Sequence, residues 1–336
     1  MRAWAVTRPG PIDSGPIVQA SRPVPSPMAD ELLVRVLVCG LCRTDLHLCE
    51  GDLPPRRPNA VPGHQVVGKV VGRGPRASRF GLGDLVGVAW LRETCGSCRW
   101  CRAGAENLCP NSRYTGWDDD GGLADYVLVR QGWAYRLPPS SSPERYAPLL
   151  CAGIIGYRAL KTTHLPPGGR LGIYGFGSSA HITAQIAAAQ GAEIHVMTRG
   201  EENRQLARDL GATFVGGSTE SPPVPLDAAI VFAPAGELIP VALEAVGRGG
   251  TVSSAGIYMT EIPPLDYERH LFYERSLRSV TSNTRQDGEE LLRLATRLPV
   301  TVHTRTISMG QVDQGLSDLA HGRGSGSVVV RVSAGE

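Results

Sequence analysis

The sequence lacks most of what would send a chain of 336 residues to a nucleic acid, a membrane or the cell exterior. Its formal net charge is only +2, so no basic excess argues for a phosphate backbone or an anionic lipid surface. The most apolar segment, residues 227–246, is interrupted by Pro234, Glu237, Pro240 and Glu244, and reads as strand, turn and helix rather than a membrane span. The opening residues, from Met1 to Gly10, carry no apolar core and no small-residue cleavage pattern, so no secretory leader is expected and the cytoplasm is the expected compartment. Internal repeats and low-complexity tails are also missing, which removes the solenoid and fibrous classes. What remains is a soluble globular composition, 42% hydrophobic and 20% charged, long enough for two domains with separate cores.

Cysteine is the informative residue. There are eight, and with no sign of export a disulfide framework is not the expectation. Cys95, Cys98, Cys101 and Cys109 form a C-x₂-C-x₂-C-x₇-C run, which can close a tetrahedral thiolate site from one loop with no position left for substrate. An iron–sulfur cluster fits less well. The bacterial ferredoxin run begins the same way and has a proline after its last cysteine, as Cys109-Pro110 does, but its last gap is shorter. A nucleic-acid knuckle would want more than Arg99, Trp100 and Arg102 around the thiols. Cys42, His64 and Cys151 offer a different set: two thiols and an imidazole, the three-ligand arrangement that leaves catalytic zinc a fourth position. Cys39 and Cys49 read as buried or incidental thiols. Taken singly, Thr44 and Asp45 could be helix caps, His47 a surface histidine and His64 a turn residue.

Up to about residue 145 the pattern is of strands, at 31–38, 66–72 and 84–91, with few helical periods. From Pro148 the character changes. Residues 156–164 read as a helix, and 170–190 as strand, glycine turn and alanine-rich helix. The turn is Gly175-x-Gly177-x-x-Ala180: Gly175 for the tight turn, Gly177 for backbone approach to a pyrophosphate, Ala180 for close packing of helix on strand. Strand and helix alternate through 193–198, 206–210, 213–215, 228–232, 238–245, 251–254 and 277–281, which is the pattern of a doubly wound parallel sheet of the Rossmann type. The second strand ends at Thr198-Arg199, a hydroxyl and a cation where an acidic residue would select NAD(H). NADP(H) is therefore the expected preference, with Glu201 and Glu202 close enough to reverse it. Beyond Asn283, Asp287 is expected to cap a helix running to Arg297, and 302–307 and 327–332 read as strands.

In this order, Gly40-Leu-Cys42-Arg43-Thr44-Asp45-Leu-His47, Pro62-Gly63-His64-Gln65, the cysteine lobe, Leu149-Leu-Cys151-Ala-Gly153 and the glycine turn resemble the zinc-dependent medium-chain alcohol dehydrogenases. The resemblance implies an α/β architecture: a strand-rich GroES-like catalytic domain over 1–150 with a structural-zinc lobe near 92–112, a Rossmann domain over 151–283, and a return to the catalytic domain over 284–336, with the active site in the cleft between them. It implies two zinc ions per subunit, hydride transfer between NAD(P)H and a small alcohol or aldehyde, and a homodimer or homotetramer. No nucleic-acid or membrane partner is expected.

The same resemblance assigns roles. Thr44 and His47 become the ends of a proton relay through the cofactor ribose, Asp45 the carboxylate behind the imidazole ligand, and Arg43 a neighbour of the pyrophosphate. Phe176, Ser178, Ser179, Ala233, Gly256, Ile257, Asn283 and Arg285 fall among the cofactor contacts, and Trp90, Tyr114 and Trp117 in the substrate pocket. Two indoles near zinc suggest a small or flat, largely apolar carbonyl compound. Gln65 stands where the family usually has glutamate, keeping the shape and losing the charge. Two other functions fit parts of the pattern: a biosynthetic reductase of a conjugated alkene or iminium, and a non-catalytic protein binding zinc and nucleotide. The retained Cys42, Thr44, His47, His64 and Cys151 argue against the second.

Overall fold

A computed structural model describes residues 1–324 and 326–333. The chain forms two compact units. One joins Met1–Cys151 to Ser282–Leu292 and to the segment from His303 onward; the other comprises Ala152–Thr281 and Arg293–Val302.

The first unit is built on a long strand, Glu31–Leu41. Its first half alternates, with Leu32, Val34 and Val36 buried and Leu33 and Arg35 half-buried, so one face meets the core. From Val36 to Leu41 every residue is buried, because both faces are covered. This strand pairs antiparallel with Gln65–Arg73, with Tyr126–Arg130 and with Ser327–Arg331. The full sheet has seven strands, extended by Thr304–Ser308 on one side and by Leu85–Val88 and Ala134–Arg136 on the other. In its register Gly40 faces Gln65 and Cys39 faces Val66. The end of one strand and the start of the next therefore lie side by side, and Cys42 and His64 are delivered to the same edge.

The second unit is a six-stranded, all-parallel sheet. Its spatial order is Phe214–Gly216, Glu193–Met197, Arg170–Tyr174, Leu226–Val231, Val246–Ser254 and Ser276–Ser279. The first strand in sequence is central and the order reverses beside it, which opens a crevice at the carboxyl ends of the strands. This is the doubly wound sheet expected from the alternating pattern. No helix among the described residues is long and apolar enough to cross a membrane.

Three local expectations are corrected. The run 84–91 is not one strand: it splits into Leu85–Val88 and Leu91–Glu93, the latter pairing with Arg113–Tyr114. Between them Ala89 and Trp90 leave the ladder, and the Trp90 carbonyl accepts from the Thr115 N–H at 2.9 Å. Asp287 does not cap its helix from outside. The helix runs Arg285–Arg297, and Asp287 Oδ2 accepts from the backbone N–H and hydroxyl of Thr284 while Thr284 Oγ1 accepts from the Asp287 N–H, a reciprocal capping box. The strand expected from 302 begins at Thr304.

Gly68 shows how tightly the first sheet is drawn. A Cβ there would lie 2.3 Å from the Arg35 carbonyl oxygen, a backbone atom that cannot swing away. Gly68→Ala is expected to destabilise this unit by about 1–3 kcal/mol through overpacking. A lower urea midpoint at an unchanged m value would show it.

Candidate active site

The helix after the long strand, Arg43–Glu50, begins with an unusual cap. Cys42 is its N-cap, and the thiol sulfur accepts from the Thr44 N–H at 3.3 Å. Asp45 completes the capping box, Oδ2 accepting from the Cys42 N–H at 2.9 Å. So neither Thr44 nor Asp45 is the cap itself; the cysteine is. The second oxygen of Asp45 accepts from the Gly63 N–H at 2.9 Å and lies 3.3 Å from His64 Nδ1. Gly63 has φ +101°, and a Cβ on it would come 2.6 Å from the Leu123 nitrogen and 2.8 Å from Cys39 Sγ. Only glycine fits that turn, and the turn aims His64 Nε2 at Cys42 Sγ, 3.2 Å away.

Cys151 comes from a π-helical turn, Leu149–Gly153, immediately after Pro148. Such wide turns redirect a side chain out of the regular helical pattern. The donor atoms of Cys42, His64 and Cys151 all lie within 4.8 Å of one another. Their electrostatics suit a metal. The Cys151 thiol, donating toward Cys42, draws the Cys42 pKa well below the ordinary thiol range, and the His64 charge adds to this. Burial alone would lower the His64 pKa, but Cys42 and Asp45 outweigh it and raise it well above the usual value. Two soft thiols and an imidazole held by a carboxylate match the donor set that zinc takes when one position stays open. Gln65, 2% exposed, lies over Gly40, where an added Cβ would meet its Oε1 at 2.6 Å.

His47 sits on the same helix, buried, with Nδ1 2.9 Å from Asp52 Oδ2. Asp52 is a partner that sequence reasoning missed. Gly51 at φ +91° ends the helix, its N–H returning to the His47 carbonyl at 3.0 Å, and the next residue is thereby turned back toward the imidazole. A glycine followed by aspartate at a helix end was the available signal. Arg43 and Thr44 occupy the first turn, exposed and half-buried. Trp90 stacks on Tyr114 with ring centroids 4.8 Å apart and meets the His64 ring edge-on at 5.0 Å. Trp117 stacks on Trp90 at 6.0 Å. The three expected pocket aromatics are thus one cluster beside the imidazole.

In the cysteine lobe the Cys98–Cys101 and Cys95–Cys109 sulfurs are 3.5 Å apart, and Cys95–Cys101 4.0 Å. A tetrahedron with zinc–sulfur bonds of about 2.3 Å has edges of about 3.8 Å, so the four thiols fit that ion. Backbone N–H groups of Ser97 and Cys98 lower the Cys95 thiol to about 6, while burial lifts Cys109 to about 11. Arg285, expected among the cofactor contacts, also reaches this lobe. Its guanidinium pairs with Glu106 at 2.7 Å and 3.0 Å, its backbone N–H donates to the same carboxylate, and it lies over Trp133 at 4.3 Å. Glu106 is buried and takes the nearest strong donor, which anchors the lobe. Asn283 is buried, its amide donating to the Thr284 carbonyl.

In the second unit Gly175, at φ +85°, packs against Ala233, and its N–H donates to the Met197 carbonyl at 2.8 Å. Phe176 and Ala180 are buried, and Ser178 and Ser179 open the helix Ser178–Ala189 after the Gly177 N-cap. His181, also buried, donates from Nδ1 to the Gly177 carbonyl at 3.1 Å; the sequence pattern did not single it out. Gly256 donates to the Val231 carbonyl, and Ile257 is exposed. Thr198 is 2% exposed, its N–H on the Gly216 carbonyl, and Arg199 is exposed beside it. Glu201, which could have opposed a phosphate, is drawn to Arg204 at 2.9 Å and Arg208 at 2.8 Å.

Residues 28–139 match the family described as alcohol dehydrogenase GroES-like domain, and residues 180–297 the one described as zinc-binding dehydrogenase. The chain is 55% identical to a Mycobacterium tuberculosis protein named "Probable alcohol dehydrogenase AdhA", over 99% of this chain and 97% of that one. Among solved structures, an acetophenone reductase from Geotrichum candidum in complex with NAD has a TM-score of 0.88 at 25% identity, covering 98% of this chain and 97% of that one. A Sinorhizobium meliloti protein described as "a putative zinc-binding dehydrogenase" and bound to NADP has a TM-score of 0.86 at 26% identity, covering 98% of this chain and 99% of that one.

Asp45 gives the direct test of the Cys42–His64–Cys151 set. Asp45→Asn keeps the shape but replaces one acceptor oxygen with a donor that opposes a backbone N–H. Zinc affinity is expected to fall about tenfold to a hundredfold, measured by competition with a chromophoric chelator.

Proposed function

The chain belongs to the zinc-dependent medium-chain dehydrogenase/reductase family, and on that footing we propose how its own residues carry the reaction. It is an NAD(P)-dependent alcohol dehydrogenase acting on a small-molecule substrate, with zinc and a nicotinamide cofactor. The observation that carries the residue assignment is the convergence of Cys42, His64 and Cys151 beside the helix that bears Thr44 and His47. Cys42, His64 and Cys151 would hold the catalytic zinc, which when bound supplies a Lewis acid for the substrate oxygen. Cys95, Cys98, Cys101 and Cys109 would hold a second, structural ion. Residues 1–150 and 284–336 are read as the catalytic part and 151–283 as the nucleotide part.

Asp45 keeps the His64 tautomer fixed, with Nε2 as the ligating atom. The Thr44 hydroxyl hands the substrate proton onward, and His47 receives it at Nε2, since Nδ1 faces Asp52. The Gly175–Ala180 turn and the N-terminus of the following helix bind the pyrophosphate. Trp90, Tyr114 and Trp117 form an apolar wall that excludes water and favours small or flat carbonyl compounds. The edge strand Ser276–Ser279 is read as the pairing edge for a second copy, giving a dimer or a tetramer.

The wild type is expected to hold two zinc ions per chain, with Cys151→Ser and Cys98→Ser each holding one. Cys151→Ser should lose activity with little loss of stability, and Cys98→Ser mainly stability. Elemental analysis with thermal denaturation reads both, and a single ion in the wild type would contradict the assignment.

NADP(H) is the preferred cofactor in this reading, its 2′-phosphate lying against Arg199 and Thr198. The withdrawal of Glu201 toward Arg204 and Arg208 supports it. A charge-assisted contact contributes roughly tenfold to a hundredfold in binding, so Arg199→Ala should raise the NADPH KM by about that factor and leave NADH little changed. Thr198→Asp should reverse the preference, because a carboxylate repels the phosphate and accepts from ribose hydroxyls. The kcat/KM ratio for the two cofactors decides it, and a wild type that favours NADH with Arg199→Ala silent would sink the reading.

A further inference from the structure

Behind the aromatic wall lies a contact that the reaction itself does not need. The Arg56 guanidinium sits over the Trp117 ring, 3.6 Å from its centroid. Arg56 Nη1 also donates to Asp118 Oδ1 at 2.7 Å, and the other oxygen of Asp118 accepts from the Tyr114 N–H at 2.8 Å. The Trp117 indole N–H donates to the Pro54 carbonyl at 2.8 Å. Residues 54–56 therefore grip the indole twice, by its edge and by its face, while Asp118 fixes both the arginine and the turn that carries Trp117. The indole so held lies 10° from parallel with Trp90, which in turn meets the His64 ring.

An exposed ion pair by itself stabilises little, and the Arg56 side chain is 46% exposed. The geometry here is more demanding than a surface pair. A planar fork can lie flat on an indole and still reach a carboxylate in its own plane, which an ammonium group cannot do. The arrangement constrains where Trp117 stands, and Trp117 is the outer member of the wall.

We infer that Arg56 is a positioning residue that fixes the Trp117 indole and so sets the width of the carbonyl pocket, favouring small substrates over wider, fused-ring ones. The inference rests on the alcohol dehydrogenase function and on the Cys42–His64–Cys151 centre. Loosening the clamp lets the indole move, and bulkier compounds gain access through a better KM.

The test uses the zinc-loaded full chain labelled with 5-fluorotryptophan, the Trp117 fluorine resonance being assigned by its loss in Trp117→Phe. Arg56→Met keeps a long stem and removes both the cation and the Asp118 pair. The expected result is a shifted, broadened Trp117 resonance and a rise of about tenfold in the kcat/KM ratio of 2-naphthaldehyde to acetaldehyde, carried by KM. Arg56→Lys should restore part of both, since the cation remains and the fork does not. An unmoved resonance, or a moved resonance with an unchanged ratio, would overturn the inference. A wild type that reduces neither aldehyde would overturn the assigned function instead. The clamp is then judged by the concentrations of 2-naphthalenemethanol and ethanol that half-shift the Trp117 resonance, whose ratio should move in the same direction in Arg56→Met.

Discussion

One carboxylate ties Cys42, Gly63 and His64 together. Asp45 accepts from the Cys42 N–H, accepts from the Gly63 N–H and lies against His64 Nδ1. Those groups belong to the end of one strand, the start of a helix and a turn leading into the next strand, so a single side chain sets the relative placement of two of the three donor groups. The cost of burying it is visible: desolvation raises its pKa, and the nearby His64 opposes that rise. A buried charge of this kind is tolerable only while all its partners are in place. The aspartate, the glycine turn and the imidazole therefore stand or fall as a unit.

Around that unit each group has its own kind of support. Gly40 opposite Gln65 fixes the register, and with it the 3.2 Å approach of Cys42 to His64. Trp90 and Trp117 lie outside any strand and Tyr114 sits in the short ladder of Leu91–Glu93 with Arg113–Tyr114, so the stack is built apart from the seven-stranded sheet. Asp52 shows a third kind of placement. It reaches His47 only because Gly51 takes a left-handed conformation at the helix end. Cys42 and His64 thus take their places from the paired strands they adjoin, and Cys151 from a wide helical turn.

Where sequence reading fell short, the failures share a cause. The 84–91 run has strand-like composition throughout, yet Trp90 leaves the ladder because its ring has better contacts with Tyr114 and Trp117. Asp287 had the look of a cap, but Thr284 was three residues ahead and the two bond reciprocally. Arg285 pairs with Glu106, distant in sequence, and that pairing was not foreseen. Each outcome depends on a partner that no local window contains.

What the sequence determined alone was chemistry with fixed spacing. Four thiols in one short run can close only a small set of sites, and a glycine turn between a strand and a helix has few uses other than a phosphate. Those patterns are local, so the identity and order of residues suffice. What the tertiary structure decided was which distant groups meet: Asp52 with His47, Arg56 with Trp117, Glu106 with Arg285. Such pairings depend on strand register, on a left-handed glycine and on which buried charge finds a donor first. These are properties of the packed chain, because the energy of each contact exists only after the backbone has brought its partners within reach.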